Sequence, residues 1–422
     1  MHAADILLLL AALLGHATLW IEFVNHVHAT GMPRWTKFGL TKFGYGVLLL
    51  APAGVAWWML RGGAASSIVS DPWNTPVPLL YYLAVCCTAA VVIVPVWCRH
   101  RFFKPADAIL FRQHAVGSRL DAQLGIRHGG GAINRLLLSL PGNQSYDLVT
   151  SEKELVVPRM DAALDGVVIA HLSDLHFTGR IDKAFFQEIV RRTNRLTADL
   201  VVITGDLVDR DACIDWIPDT LAALESRWGT FFILGNHDTR VNLPRLRQAL
   251  QDAQLIDLGG RSTVLNVRNR RLLLAGNELP WIGPAAEVKA PADAADSHVA
   301  ARLLLAHTPD QYSWARLRGF DLMLAGHTHG GQIVFPLIGP LVIPSRYGAK
   351  YAAGVFYEPP TVLHVSRGLS AEHPIRINCP PELVRLVLRS PQCVESCEEA
   401  GLRRCDASLG GVRPLAAGTE IS

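Results

Sequence analysis

Five short polar islands in the second half of the chain constrain its fold more than any other feature. They are Asp174-Leu175-His176, Gly205-Asp206-Leu207-Val208-Asp209-Arg210, Gly235-Asn236-His237-Asp238, His307 and Gly326-His327-Thr328-His329. Most follow a short apolar run, at Val167–Ala170, Leu200–Ile203, Phe231–Leu234, Leu303–Leu305 and Leu322–Leu324. Such runs, bounded by Gly, Asp and Asn, read as buried strands whose C-terminal ends carry the polar residues. An open α/β sheet places its ligand site there. As candidate ligands the islands supply two carboxylates (Asp174, Asp206), one amide (Asn236) and four imidazoles (His176, His307, His327, His329). Carboxylate oxygen with imidazole nitrogen suits zinc, manganese or iron and gives no thiolate-only site. The order and spacing suit a pair of adjacent divalent ions sharing one carboxylate, and Asp206, emerging after a glycine, is the natural bridge.

The surrounding sequence alternates. A strand at Val167–His171 precedes a helical stretch at Asp182–Leu196, followed by a strand at Leu200–Thr204 and a helix near Ile217–Ser226. A strand at Thr230–Leu234 and a helix near Leu243–Gln251 complete a rhythm that predicts a largely parallel layer. Further strands are expected near Ser262–Val267, Arg271–Ala275, Arg302–Ala306 and Asp321–Ala325. Later runs at Thr361–Ser366 and Leu383–Leu388 alternate more and suggest a second sheet. The expected class is α/β, a two-sheet sandwich flanked by helices.

The front of the 422-residue chain is different. Ile6–Val24, Gly44–Leu60 and Val77–Val96 are apolar runs of about the length that crosses a hydrocarbon core of ~30 Å. A cleaved signal peptide is the rival for the first run, which lacks a basic start and a small-residue cleavage site. Arg34, Lys37 and Lys42 lie between the first two runs, and Arg99, Arg101 and Lys104 follow the third. The positive-inside rule then puts the N-terminus outside and the large C-terminal domain in the cytoplasm, in an inner or cytoplasmic membrane. His16 and Glu22 interrupt the first run, as a polar pair or as residues at the interface. A net charge of +3 makes no case for nucleic acid as a partner.

The division expected is a membrane region at 1–101, a connector at 102–164, a catalytic domain at 165–390 and a disordered tail at 391–422. In the connector, Arg135–Leu140 reads as a core-facing helix turn or a membrane-surface patch, and Leu148–Val157 as a strand or hairpin. The eight cysteines lack paired C-x-x-C spacing and read as free thiols.

Taken as a set, D-x-H, G-D-x-x-D-R, G-N-H-D, H and G-H-x-H resemble the calcineurin-like metallophosphoesterase superfamily over roughly Asp165 to Leu388. His327-Thr328-His329-Gly330-Gly331-Gln332, Ser366-Arg367-Gly368-Leu369 and Pro374–Glu382 resemble its membrane-associated bacterial phosphodiesterase branch. The resemblance implies a four-layer α/β/β/α metallophosphoesterase sandwich, a dinuclear site and hydrolysis of a phosphate ester. Carried over, Asp174, His176, Asp206 and His329 resemble the ligands of one metal. Asp206, Asn236, His307 and His327 resemble those of the other. His237 resembles the histidine that protonates the leaving oxygen, with Asp209 orienting it and Arg210 touching the phosphate. One departure stands out: Gly276-Asn277-Glu278-Leu279-Pro280 replaces the acidic G-x-D-D-like turn near the substrate side.

The expected activity is hydrolysis of a phosphodiester or pyrophosphate, lipid-linked substrates included, by in-line attack of a metal-bridging hydroxide with His237 as acid. Two alternatives stay open: a tethered hydrolase of soluble phosphate esters or nucleotides, and a non-catalytic metal-binding sensor. The oligomeric state is not readable.

Overall fold

The computed structural model describes residues 3–63, 68–69, 73, 75–102, 109–126, 131–288 and 299–399. It begins with three long helices, α1 (Ala3–His28), α2 (Arg34–Trp58) and α3 (Val77–Phe102). With α2 continued to Arg61, each is long and apolar enough to cross a membrane. Leu7, Leu10, Leu49, Leu50, Trp57 and Val91 lie exposed on their outer faces. That is the inverse of a water-soluble bundle. α1 lies along α3 where Gly15 abuts the Cys86 carbonyl and leaves no room for a Cβ, the small-residue contact by which membrane helices approach closely.

The rest of the chain builds two stacked sheets. Its strands are β1 (Leu110–Arg119), β2 (Asp147–Val156), β3 (Val168–Leu172), β4 (Leu200–Thr204), β5 (Thr230–Ile233), β6 (Ile256–Asp257), β7 (Ser262–Val267), β8 (Arg270–Asn277) and β9 (Val299–Ala306). They continue with β10 (Leu322–Ala325), β11 (Val334–Phe335), β12 (Gly339–Pro340), β13 (Gly354–Glu358), β14 (Thr361–Val365) and β15 (Glu382–Arg389). The shorter helices are α4 (Leu120–Leu124), α5 (Ala132–Leu138), α6 (Lys183–Arg195), α7 (Leu243–Asp252), α8 (Tyr312–Leu317) and α9 (Pro391–Glu399). One sheet runs β1-β2-β15-β3-β4-β5-β6 and the other β13-β14-β10-β9-β8-β7, with β11 and β12 forming a small hairpin. β3, β4, β5 and β6 are parallel, as the alternation predicted.

Strand periodicity explains the stacking. Leu200 and Val202 of β4 join Leu303 and Leu305 of β9 in the core between the sheets. Val201 and Ile203, pointing the other way, meet Phe185 and Ile189 of α6 and Leu246 of α7. Strands buried on both faces need the unbroken apolar runs seen in the sequence. α6 is started by Asp182, whose carboxylate accepts from Ala184 N at 2.8 Å. A third core, with Tyr312, Ala315 and Phe320, covers the outer face of the second sheet. The resulting layers are helix, sheet, sheet, helix.

Two expectations need correction. Residues 382–389 do not belong to the second sheet: β15 enters the first, parallel to β2 and antiparallel to β3. Alternation shows that a strand is buried but not which sheet receives it. The helix expected near Ile217–Ser226 is reduced to a short 3-10 turn at Leu221–Ala223 after Thr220 leaves helical geometry (φ −129°, ψ −86°). Pro218 nearby lacks an N–H for a continuous ladder. The connector holds a ten-residue strand, β1, paired antiparallel with β2. On α5, Ile133 and Leu136 are exposed at 75% and 63%, while Leu138 packs against the core beneath the first sheet, so the stretch at Arg135–Leu140 faces the core on one side only. Residues 127–130 of the connector and 400–422 of the tail lie outside the described residues.

Candidate metal centre

The ends of five strands meet at one edge of the sandwich. Asp174 and His176 follow β3, Asp206 and Asp209 follow β4, and Asn236 and His237 follow β5. His307 follows β9 in the second sheet, and His327 and His329 follow β10. The turns are tight. Asp174, His176, Asp206, His327 and His329 all have positive φ, between 45° and 69°. Residues with a Cβ adopt this region only where surrounding structure imposes it, at a cost of order 1–3 kcal/mol each.

Donor atoms of Asp174, His176, Asp206 and His329 lie within 4.8 Å of one another, as do those of Asp206, His307 and His327. Asp206 belongs to both groups. All six side chains are buried. His176 Nε2 stands 3.6 Å and His307 Nε2 3.3 Å from Asp206 Oδ2, and His329 Nε2 is 3.5 Å from Asp174 Oδ1. Asn236 Oδ1 is 3.1 Å from His307 Nε2.

The outward hydrogen bonds define the tautomers. His176 Nδ1 donates to Asp209 Oδ2 (2.8 Å), His307 Nδ1 to the Thr204 carbonyl (2.7 Å) and His329 Nδ1 to the Ser370 carbonyl (3.2 Å). Each Nε2 then faces the cluster, as second-sphere oxygens arrange for metal-binding imidazoles. His176 Nε2 and His329 Nε2 approach to 3.2 Å. Asp206 Oδ2 and His327 Nε2 are buried without a hydrogen-bond partner among the described residues. Acceptors converging on acceptors need a proton or a cation between them, so the donor set fits divalent ions.

The electrostatics point the same way. Burial would push His176 and His307 down, but neighbouring carboxylates outweigh it, Asp209 for the first and Asp206 for the second, and raise both to about 9. Burial, reinforced by adjacent charged histidines, holds His327 and His329 well below the usual imidazole range. Burial raises Asp174, whereas His307 and His237 overcome burial to hold Asp206 low.

Asp209 links two histidines. Its Oδ1 accepts from His237 Nδ1 at 2.5 Å while its Oδ2 holds His176. His237 Nε2 faces Arg240 Nη2 at 3.2 Å, and Arg240 Nη1 pairs with Asp209 (3.2 Å) and Glu372 (3.0 Å). Arg210 is not brought into this cluster; its Nη1 donates to the Thr178 carbonyl at 3.3 Å. Arg240 and Glu372 went unread in the sequence. Arg240 sits three residues beyond His237 and was within reach of the same motif, whereas Glu372 carries no local signal.

The departing turn is structural. Glu278 is clamped by Leu234 N (2.6 Å) and Arg247 Nη2 (2.5 Å), which ties it to the strand end before Asn236. Trp281 follows, with its ring 4.8 Å from that of His327 and 5.6 Å from that of His307. Its indole shields these imidazoles from water.

A buried polar chain also reaches the site from between the sheets. Glu382 accepts from Ser151 (2.7 Å) and Lys153 (2.9 Å), and Lys153 Nζ donates to His364 Nε2 at 3.1 Å. His364 Nδ1 then donates to His171 Nδ1 (3.0 Å), His171 Nε2 to Thr204 Oγ1 (2.9 Å), and Thr204 to Ser173 Oγ (2.8 Å), beside Asp174. Burial, with Lys153 adding to it, drives His171 down to about 3 and His364 well below its usual range, so both rings are neutral relays. The donors all point toward Asp174.

Residues 167–331 match the family described as calcineurin-like phosphoesterase. The chain is 31% identical over 230 residues to phosphodiesterase YaeI of Escherichia coli (strain K12), covering 52% of this chain and 81% of that protein. It is 28% identical over 263 residues to the uncharacterized metallophosphoesterase YkuE of Bacillus subtilis (strain 168), covering 58% and 87%. A transmembrane protein with metallophosphoesterase domain from Bos taurus is 28% identical over 299 residues, covering 65% of this chain and 66% of that protein.

Proposed function

Because the chain belongs to the calcineurin-like phosphoesterase family, we propose that it is a membrane-tethered phosphohydrolase that cleaves a phosphodiester or pyrophosphate on a lipid-linked substrate. The observation that carries this reading is the convergence of buried donor-set atoms around Asp206, whose Oδ2 has no hydrogen-bond partner among the described residues. Asp174, His176, Asp206 and His329 would hold one divalent ion, and Asp206, Asn236, His307 and His327 a second. Such a pair supplies positive charge against the phosphoryl oxygens and lowers the pKa of water.

The chain's own residues do the rest. His237, held through Nδ1 by Asp209, would take a second proton on Nε2 and deliver it to the departing oxygen once Arg240 Nη2, which donates to that Nε2 at 3.2 Å, turns to the phosphate. Arg240, paired with Asp209 and Glu372, carries charge to the rim. This assigns to Arg240 the phosphate contact expected of Arg210. Trp281 keeps water off the imidazoles. The first 101 residues form the membrane region and 165–390 the catalytic domain, with the connector adding β1 and β2 to its sheet. Basic residues at the α1–α2 turn and at the end of α3 favour a cytoplasmic catalytic domain.

The test is turnover of bis(p-nitrophenyl) phosphate by the full chain in detergent, with manganese and with chelator. Asp206→Asn is expected to lower the metal-dependent rate by about 10²–10³-fold, the scale of losing one preorganised electrostatic contact. Equal turnover by the variant, or turnover indifferent to chelation, would sink the reading.

A further inference from the structure

The turn between α1 and α2 lies on the catalytic loops. Gly31 packs against Pro280 so closely that a Cβ would stand 2.7 Å from the Pro280 carbonyl oxygen. Pro280 precedes Trp281, the residue covering His307 and His327. Asn25, in the last turns of α1 and fully buried, grips the segment after β12 with both amide atoms. Its nitrogen donates to the Leu341 carbonyl at 3.2 Å, and its oxygen accepts from Ile343 N at 2.9 Å. At the end of α3, Arg101 Nε donates to the Leu337 carbonyl at 3.1 Å. The membrane helices are therefore docked on the mouth of the site.

This docking sets two basic residues, one on each side of the α1–α2 turn, beside the loop of Pro280. His28 ends α1 and lies in the electrostatic field of His237. Lys37, in the first turn of α2, acts on Arg240, Asp206 and His327. His28 Nε2 bonds Thr41 Oγ1 at 3.2 Å, which fixes the end of α1 to α2. Lys37 is half-buried, and among the described residues no carboxylate pairs with it. A half-buried ammonium with no carboxylate in ion-pair contact among the described residues, and in the field of the Arg240 cation, calls for an anion.

We propose that Lys37, backed by His28, is a substrate-positioning residue that binds the phosphate from the membrane side, so that the active site is complete only with α1 and α2 in place. The inference rests on the phosphohydrolase reading above and adds residues that the catalytic sheets do not contain. Trp35 and Phe38 flank Lys37 and are exposed at 78% and 65%. Leu337 at the tip of the β11–β12 hairpin, beside Arg101, is exposed at 79%. Aromatic and apolar groups of this kind settle at the headgroup level of a bilayer, which puts the mouth where a lipid's phosphate lies.

The experiment measures binding of inorganic phosphate to the manganese-loaded full chain in detergent by calorimetry, beside KM and kcat for bis(p-nitrophenyl) phosphate. Lys37→Ala is expected to weaken phosphate binding and raise KM by about tenfold, the scale of a charge-assisted contact, with kcat changed less than about threefold. Lys37→Arg should restore both. Phosphate affinity and KM within about twofold of the parent in Lys37→Ala would overturn the proposal, since a charge-assisted contact is worth more than that. A parent protein that binds phosphate but hydrolyses nothing would defeat the functional reading, and phosphate binding alone would then decide the Lys37 site. A second arm compares inorganic phosphate with dioleoyl phosphatidic acid in mixed micelles as competitors. Lys37-dependent preference for phosphatidic acid assigns the site to a lipid-borne phosphate, and Lys37-dependent binding of inorganic phosphate alone assigns it to a soluble one.

Discussion

The three long apolar helices and the two stacked sheets handle polarity in opposite ways. In α1–α3 the apolar residues face out and the few polar ones turn inward, His16 reaching the Leu48 carbonyl at 3.1 Å. In the sheets the apolar residues fill three buried layers, and the polar residues gather where the strands stop. A strand saturates its own backbone through its neighbours, so only its end can lend side chains and strained backbone to a site. A membrane helix saturates its backbone internally and can carry an isolated charge only near the interface. Lys37 and His28 sit at such ends, and the two architectures meet there.

The comparison can be broken most severely inside the sheets. Arg247→Ala would leave Asp257 and Glu278, both only 2% exposed in their side chains, without their shared cation. A loss of about 3–5 kcal/mol is expected, read as a fall in the denaturation midpoint of the full chain. The loop before Asn236 should loosen with it, because Glu278 also accepts from Leu234 N. A variant as stable as the parent would show that the clamp contributes little.

Asp209→Asn tests whether the site depends on its supports as well as its ligands. An amide cannot accept from His176 and His237 at once as a carboxylate does. Metal affinity or turnover should drop about 10–100-fold, with little change in melting temperature. Unchanged metal titration and unchanged kinetics would remove Asp209 from both roles.

In the membrane region the effects are smaller. Gly15→Leu forces a side chain into the Cys86 carbonyl and should cost about 1–3 kcal/mol of helix packing, read by cross-linking between α1 and α3 in detergent. Turnover of a soluble diester should fall less than in Asp209→Asn. Smallest of all, Leu337→Ser should shift stability by no more than about 0.5 kcal/mol, since this side chain is 79% exposed. A large loss of stability there would mean that the hairpin tip packs on something firmer than a bilayer surface.

The candidate ligand residues were legible because each stands in a short motif next to an apolar run, and both features are local. Sheet order was not. β15 inserts between β2 and β3, whose residues lie more than two hundred positions earlier, and alternation carries no record of a partner. Arg240 was nearly legible and Glu372 was not: the first shares a turn with His237, and the second reaches it from a loop 135 residues away. The relay from Lys153 through His364 and His171 to Thr204 was hidden for the same reason, since its members come from four strands.

By itself the sequence determined which side chains gather at the strand ends, that they suit divalent ions, and that three helices are apolar enough to span a membrane. Those properties depend on residue type and on neighbours a few positions away, where hydrophobic period and ligand chemistry are written directly. Only the tertiary structure decided that Asp209 serves two histidines, that Arg240 and Glu372 join them, and that the α1–α2 turn lies on Pro280. Each is a meeting of segments far apart in the chain, decided by which packed surfaces fit together.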